Sequence, residues 1–245
     1  MKIFSMDIPL FPNEKLINEG ITKYIYWDYQ KVAHAIIFGS TGSGKTYALK
    51  IALGRISKHV SDSEIILCDY KSDLDFEFAS GYMNFYRFTE CIHGLNYTTQ
   101  ILQERQSGVR KDRHLVIFVF DEWASFISNI PTKKEAEQAK SDLSSLLMLG
   151  RSFNIQVIIS QQRVDSVFFN AGGRDNFSLV IGLGSLSKES INMMYANYKQ
   201  DINPNKPRGH GTLINGNKLH DIVVPYISNI DRLHSVILMA VNRYH

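Results

Sequence analysis

A run of eight residues near the start of the sequence has the composition and spacing of a phosphate-binding loop. Residues 39–46 read GSTGSGKT and fit the pattern G-x-x-x-x-G-K-[ST]. Glycines let successive backbone N–H groups turn inward around an anion, and the positive end of the following helix points to the same place. Lys45 is expected to contact the β- and γ-phosphates, and the Thr46 hydroxyl to ligate Mg²⁺. The predicted nucleotide-binding residues are Gly39, Ser40, Thr41, Gly42, Ser43, Gly44, Lys45 and Thr46.

Two adjacent acids follow a run of six apolar residues. Residues 115–120 (LVIFVF) lead into Asp121 and Glu122. A strand of a parallel sheet would deliver both carboxylates to the carboxyl edge, where a phosphate-binding loop also lies. We expect Asp121 to hold the Mg²⁺ shell and Glu122 to polarise the attacking water as a general base. The alternative is an acidic pair that caps the next helix.

Two glutamines follow another apolar run. Residues 155–159 (IQVII) are followed by Ser160, Gln161, Gln162 and Arg163. A neutral amide at the end of a strand can sense the γ-phosphate without the charge penalty of a further acid. One of the two glutamines would face the site, and strand geometry leaves open which one. The alternative is a polar strand exit without a role in chemistry.

Short apolar runs alternate along the chain with longer stretches of helical spacing. Continuous apolarity, rather than alternation, is typical of strands covered by helices on both sides. We therefore predict an α/β fold in which a mostly parallel sheet is flanked by helices on both faces. The predicted strands are 35–38, 65–68, 115–120, 155–159 and 179–182, and the predicted helices are 46–58, 97–105, 131–151 and 188–198.

Composition and charge exclude several classes of protein. Of the 245 residues 44% are hydrophobic and 21% charged, so the chain is neither disordered nor of low complexity. A net charge of +3 permits a nucleic-acid partner without arguing for one. Two cysteines are too few for a disulfide framework, and we expect reduced thiols. No apolar run is long enough to span a membrane, and we expect a cytoplasmic protein.

The chain is predicted to consist of one domain with a short extension. Residues 1–30 mix polar and apolar positions and are expected to form an edge strand or hairpin. Residues 31–245 are expected to form a single P-loop domain, in which residues 204–225 make turns that join two short strands. No internal repeat or long linker divides the sequence.

Five segments carry motif-like combinations in a fixed order. They are HAIIFGSTGSGKT from His34, DYK from Asp69, DEWA from Asp121, LGRS from Leu149 with QR at Gln162, and RGHG from Arg208. In this order they resemble the FtsK/SpoIIIE branch of the HerA–FtsK superfamily of DNA-translocating ATPases. The resemblance runs from about residue 27 to about residue 227. In DYK, Tyr70 replaces the proline of the family's D-P-K motif.

The resemblance implies a RecA-like P-loop NTPase and a function. Proteins of this branch form hexameric rings that hydrolyse ATP between subunits and drive double-stranded DNA through the centre. An Mg²⁺-dependent, DNA-stimulated ATPase with ATP and Mg²⁺ as cofactors is therefore implied. Arg151 matches the family's candidate arginine finger; by sequence alone it is equally a charge that complements a helix C-terminus. Matching Arg163 to the family's arginine favours Gln162 as the sensing amide.

The DNA-contacting surface follows from the same resemblance. In the ring, loops beyond the Gln-Arg strand line the pore, which in this chain are residues 163–176. Arg163, Arg174 and Lys71 are the candidate phosphate contacts, which position DNA without reading its sequence. The alternative is that these are ordinary solvated side chains. The family's proline after the Gln-Arg pair is absent, so the course of the loop does not follow from the resemblance.

The biological client is expected to be a mobile element. Larger members carry membrane-spanning segments and a C-terminal winged helix that reads DNA, and we expect this chain to have neither. It resembles the short motors of plasmids, conjugative elements and viruses, to which a relaxase or a capsid component brings the DNA. Transfer of a plasmid or conjugative element is the leading interpretation. The alternatives are a viral genome-packaging ATPase, an ATPase that energises a secretion channel, and a nucleotide-gated ring scaffold without productive hydrolysis.

Overall fold

The computed structural model describes residues 7–170 and 172–242. The first six residues of the predicted 1–30 extension, residue 171 of the predicted DNA loop and the last three residues of the chain lie outside the described residues. The strands are β1 (Asp7–Pro12), β2 (Tyr24–Asp28), β3 (Ala35–Phe38), β4 (Glu64–Asp69), β5 (Phe85–Arg87), β6 (Val116–Asp121), β7 (Ile155–Gln161), β8 (Leu179–Leu183), β9 (His210–Asn215) and β10 (Lys218–Val223). The helices are α1 (Glu14–Asn18), α2 (Lys45–His59), α3 (Cys91–Ser107), α4 (Trp123–Asn129), α5 (Lys133–Leu149), α6 (Lys188–Met194) and α7 (Ile230–Val241).

An eight-stranded sheet runs through the centre of the fold in the order β10-β9-β8-β3-β7-β6-β4-β5. The six strands from β8 to β5 are parallel, and only the β9–β10 hairpin introduces antiparallel pairs. β3 therefore lies in the interior of the sheet, between β7 and β8. All the loops that follow parallel strands leave from one edge, the carboxyl edge, and this topology brings the predicted site residues together.

Helices cover both faces of the sheet, as the continuous apolarity of its strands predicts. Side chains of a strand alternate between faces, so Ile37 of β3 belongs to one buried core and Phe38 to the other. The first core contains α2, α7 and residues of β1 and β2; the second contains residues of α3, α4, α5 and α6. The predicted α/β class, a mostly parallel sheet between two helical layers, is confirmed.

Local sequence signals explain where the long helices begin and end. Thr132 caps the start of α5: its hydroxyl accepts from the Glu135 N–H at 3.2 Å and donates to the Glu135 carboxylate at 2.7 Å. α5 ends at Leu149 in a 3-10 turn (Gly150–Phe153), and Asn154 in the left-handed conformation redirects the chain into β7. No helix among residues 7–170 and 172–242 is both long and apolar enough to cross a bilayer.

The N-terminal hairpin is joined to the rest of the fold by its apolar side chains. β1 and β2 pair only with each other, and one bridge from Asn13 to Ile222 reaches the edge strand β10. Trp27 is almost completely buried and donates its indole N–H to the Val32 carbonyl at 2.7 Å. Ile8, Leu10 and Phe11 are buried in the same core as α2.

Candidate nucleotide-binding site

The GSTGSGKT segment forms a loop between β3 and the first turn of α2, as predicted. Gly39 lies so close to β8 that a Cβ added to it would collide with the Leu183 carbonyl oxygen. Gly44 has φ of +102° and begins the helix, a conformation that favours glycine. From the far side, the Gly209 N–H donates to the Ser43 carbonyl at 3.0 Å, so the RGHG turn supports the loop directly.

Lys45 is buried at the centre of the loop. Its ammonium donates to the Ser40 carbonyl at 3.3 Å. Burial lowers the pKa of Lys45, and the nearby carboxylates of Glu122 and Asp121 oppose that shift. A desolvated ammonium with one carbonyl partner and two facing acids is suited to receive the phosphate chain of a nucleotide.

Three polar residues lie side by side across neighbouring strands at the carboxyl edge. Asp121 at the end of β6 is in register with Asp69 of β4 on one side and with Ser160 of β7 on the other. Asp121 Oδ1 and Asp69 Oδ2 are buried and accept no hydrogen bond from the described residues. Burial raises the pKa of Asp121 to about 7, and the negative charges of Glu122 and Asp69 act in the same direction.

The Asp69 carboxyl is held in a similar environment. Burial raises its pKa to about 6, although the Ser72 N–H donates to its Oδ1 at 3.1 Å. Lys45 lowers the pKa of Asp121 but does not offset the effect of burial, so two adjacent buried carboxyls could accommodate the further positive charge of a dication. The sequence identifies Asp69 only as part of the DYK motif. The register of β4 with β6 places it next to Asp121 in the site.

Glu122 occupies a strained backbone position next to Asp121. Its φ of 62° is left-handed, which is uncommon for a residue with a long side chain. Its N–H donates to the Ser160 carbonyl at 2.8 Å, which fixes the turn out of β6. Glu122 stands at the N-cap position of α4, but its side chain makes no capping hydrogen bond. The capping alternative therefore finds no support in the geometry of this pair.

The two glutamines after β7 have opposite environments. Gln161 is fully buried, and both polar atoms of its amide lack a partner among the described residues. Gln162 is exposed and lines a cavity of about 310 Å³ together with Gly39, Ser40 and Thr41. Both residues therefore lie near the loop, but the Gln161 amide is buried, whereas Gln162 is open to the cavity.

Arg151 lies at the opposite edge of the sheet. Its 3-10 turn precedes β7, and the side chain of His34, just before β3, packs against Gly150 in the same turn. β7 spans about 20 Å from Ile155 to Gln161, at about 3.3 Å per residue. The exposed Arg151 is thus remote from the phosphate loop of its own chain.

The three candidate DNA contacts do not form one patch. Arg163 is exposed beside the phosphate loop, and Lys71 pairs with Asp73 at 2.6 Å near the same edge. Arg174 lies before β8, near the amino edge, and its nearest acid is Asp175 at 3.7 Å. Between the two arginines, the chain is anchored by the Trp123 indole N–H, which donates to the Phe168 carbonyl at 2.9 Å. This anchor could not be predicted from spacing, because it joins distant segments.

Comparison with known proteins identifies a relative and several solved structures with a similar fold. No family profile matches the chain. The FtsK domain-containing protein YdcQ of Bacillus subtilis (strain 168) is 25% identical over an alignment 206 residues long, which covers 78% of this chain and 42% of YdcQ. The chain therefore spans about two fifths of the length of this relative.

Solved structures with the same fold come from several systems. The pCW3 conjugation coupling protein TcpA, solved with ATPγS, has a TM-score of 0.73 at 17% identity, covering 97% of this chain and 71% of TcpA. The cytoplasmic domain of the Thermomonospora curvata type VII secretion ATPase EccC has a TM-score of 0.67 at 14% sequence identity. The match covers 98% of this chain and 31% of EccC. The genome-packaging NTPase B204 of Sulfolobus turreted icosahedral virus 2 has a TM-score of 0.50 at 13% sequence identity. The match covers 80% of this chain and 98% of B204.

Fold and site together define a class. The eight-stranded sheet, with the phosphate loop following an interior strand, is the fold of P-loop ATPases. Within that class the chain is similar to FtsK-domain proteins, and the resemblance predicted from its motifs is confirmed.

Proposed function

We propose that this chain is the subunit of an ATP-hydrolysing motor that moves double-stranded DNA through a homo-oligomeric ring, most simply a hexamer. The observation that carries the proposal is that the Lys45 ammonium and the buried carboxylates of Asp121 and Glu122 face each other at one sheet edge. Transfer of a plasmid or conjugative element is the client we favour, because the chain is similar to an FtsK-domain protein and shares its fold with a conjugation coupling protein.

The residues at this edge are suited to hold ATP with Mg²⁺. The backbone of residues 39–46 would bind the phosphates, and Thr46 and Asp121 would hold the ion. The buried Asp121 Oδ1 without a hydrogen-bond donor supports this assignment, since a dication would compensate its charge. Mg²⁺ would neutralise charge that develops on the phosphates.

Glu122 is proposed as the general base. The Glu122–Ser160 backbone hydrogen bond holds its backbone beside the site, and among residues 7–170 and 172–242 its carboxylate accepts one long hydrogen bond, from the Ser125 hydroxyl at 3.5 Å. A carboxylate whose position is fixed and whose oxygens can still accept a hydrogen bond can accept a proton from the attacking water. The proton would move to Glu122 as the water attacks the γ-phosphorus, the bond to the bridging β-phosphate oxygen would break, and ADP would leave with that electron pair.

A glutamine is proposed to sense the γ-phosphate. The family motif favours Gln162, whereas burial favours Gln161, whose amide has no partner to compete with a ligand. We choose Gln161, because a fully buried unsatisfied amide is costly unless a ligand satisfies it. Gln162 remains the alternative, since it lines the neighbouring cavity.

Arg151 is proposed to act on the site of a neighbouring subunit. Its remoteness from its own phosphate loop excludes a direct role within one chain, and its exposure suits a contact in trans. In a head-to-tail ring, the amino edge of one subunit can face the nucleotide of the next. An arginine supplied in this way stabilises the charge of the transition state.

DNA is proposed to contact Arg163 and Lys71 near the nucleotide edge, with Arg174 as a more distant phosphate contact. A recruiting protein, a relaxase or a capsid component, would bring the DNA. Two other clients have a specific observation in their favour, because a genome-packaging NTPase and a secretion ATPase share the fold. A ring scaffold that binds ATP without hydrolysing it is disfavoured by Glu122, because such a scaffold needs no general base.

The proposal is tested by tracking displacement of a third strand from a DNA triplex in the presence of ATP. We expect the wild-type oligomer to displace the strand and Glu122→Gln to bind ATP without displacing it. The matched control is Glu137→Gln, on the exposed face of α5, which should behave as wild type. Hydrolysis without displacement on any duplex would refute DNA movement and favour a protein client.

A further inference from the structure

The turn that carries Arg151 is held by an arginine that the proposed chemistry does not use. Arg105 lies near the end of α3, and its side chain is 0% exposed. One guanidinium nitrogen donates to the Phe153 carbonyl at 2.7 Å. Phe153 is the last residue of the 3-10 turn that contains Arg151. A buried guanidinium thus holds the backbone two residues from the proposed finger.

Arg105 is itself oriented by two further contacts. Its other terminal nitrogen donates to Asp112 Oδ1 at 2.7 Å and to the His114 carbonyl at 3.1 Å. An arginine presents its N–H donors in a rigid planar fork, so contacts on one side of the guanidinium fix the direction of the other side. The position of the Phe153 carbonyl is therefore defined relative to the 112–114 segment.

The same cluster extends into the first residues of the sheet. The His114 imidazole lies between Asp112 Oδ1, at 3.1 Å from Nδ1, and Glu64 Oε2, at 2.8 Å from Nε2. Glu64 is fully buried at the start of β4 and also accepts from the Asn84 amide at 3.0 Å. A buried carboxylate is retained only with such partners, which makes the cluster a rigid reference for the turn.

Nearby contacts restrain the turn at its end. The side-chain amide of Asn154 donates to the Arg113 carbonyl at 2.8 Å. The Arg113 guanidinium lies 5.6 Å from the centroid of the Phe153 ring. By contrast, the Arg151 side chain is exposed and makes no hydrogen bond or ion pair with the described residues that would orient it. Its direction therefore depends on the backbone that Arg105 holds.

We propose that Arg105 is a positioning residue for the arginine finger: it fixes the Gly150–Phe153 turn so that Arg151 reaches the nucleotide of the neighbouring subunit. The inference rests on the proposed function, in which Arg151 acts in trans. A displacement of about 1 Å in a catalytic group can cost about 100-fold in rate, so loosening this turn should impair hydrolysis without touching the nucleotide site of the same chain.

The test mixes subunits with complementary defects. Lys45→Ala impairs the phosphate loop but retains a working Arg151. Arg151→Ala removes the finger and Arg105→Met loosens the turn that carries it, and both variants retain an intact phosphate loop. Each variant alone should show little turnover, with kcat of Arg105→Met reduced about 10–100-fold and KM for ATP unchanged. In a one-to-one mixture with Lys45→Ala, about a quarter of head-to-tail interfaces join an intact loop to an intact finger. Both mixtures should therefore regain up to about a quarter of wild-type turnover.

Control variants separate positioning from general damage. Arg55→Met also removes an arginine that holds a carbonyl, that of Pro9 at 2.9 Å, and should keep wild-type kcat. Arg105→Lys, which retains the charge, should lose less activity than Arg105→Met. If neither Arg105 variant folds, Asp112→Asn at a half-exposed partner is expected to give the same rescue pattern with a smaller loss.

The outcomes are distinguishable. Rescue of Arg151→Ala but not of Arg105→Met, or loss of ATP binding by Arg105→Met, would overturn the inference and leave the finger in place. Failure to rescue Arg151→Ala would refute the proposal that Arg151 acts on the nucleotide of the neighbouring subunit. The proposed role of Arg105 would then be refuted as well.

Discussion

Gln161 is the register partner of Phe38, the residue immediately before the phosphate loop. The pairing of β3 with β7 therefore places Gln161 beside the residue that precedes the loop, on the sheet face of the second core, to which Phe38 belongs. The amide is buried without a hydrogen-bond partner among the described residues, so a ligand or a water molecule could satisfy it. The relation links the fold of the sheet directly to the chemistry of the loop.

Replacing Gln161 by leucine is expected to separate stability from activity. Leu has a similar volume and removes an unsatisfied polar group, so the melting temperature should be equal or higher. The kcat for ATP hydrolysis should fall about 100-fold, the typical cost of losing one donor to a developing charge. Gln162→Ala is the matched control and should retain most of the activity. The reverse pattern, in which only the Gln162 variant loses activity, would return the sensing role to Gln162.

Glu122→Gln is expected to bind ATP with an affinity close to that of wild type. The amide keeps the shape of the side chain but cannot accept a proton from water, so phosphate release should fall by about 100- to 10,000-fold. Nucleotide binding is measured by calorimetry and hydrolysis by a phosphate-release assay. Wild-type turnover in this variant would show that another group activates the water.

Trp123→Phe tests whether the loop after β7 communicates with the site. The change keeps an aromatic ring in the buried cluster with Phe120 and Phe126 but removes the hydrogen bond to Phe168. An unpaired carbonyl costs about 1–3 kcal/mol, so the loop should loosen. We expect basal hydrolysis to persist and stimulation by duplex DNA to decrease. Equal stimulation in both proteins would mean that this anchor does not transmit DNA binding.

The N-terminal hairpin is expected to contribute substantially to stability. Trp27→Ala removes a buried indole and should lower the free energy of unfolding by about 3–5 kcal/mol, measured by denaturant titration. The neighbouring Tyr26 is 52% exposed, and Tyr26→Ala should cost about 1 kcal/mol or less. Similar losses for the two variants would mean that the hairpin is not held by its buried face.

Several elements could be predicted because their residues determine them locally. The β3 run AIIF was predicted at its observed bounds, and the apolar runs of β4, β6, β7 and β8 differ from the prediction by two residues at most. α3 was predicted too short, since it begins at Cys91 rather than near residue 97, and α7 was not predicted. β5 is a three-residue edge strand whose side chains are only half-buried, and it has no distinctive pattern.

The site was predictable where residues are adjacent in sequence and less so where the sheet brings them together. The loop, Asp121 and Glu122 follow from spacing and strand polarity. To choose between Gln161 and Gln162, one must know which of the two side chains is buried at the end of β7. That depends on the register of β7 with β3. Asp69 and the Arg105–Phe153 contact depend on tertiary pairing that no local pattern contains.

The most direct test of the account is an electron cryo-microscopy structure of the protein with ATPγS, Mg²⁺ and duplex DNA. We expect the phosphates to lie in the GSTGSGKT loop, Mg²⁺ to lie between the Thr46 hydroxyl and Asp121, and the duplex to pass through a ring of subunits. Nucleotide density away from Lys45 and Asp121, or a ring whose channel excludes the duplex, would contradict the account.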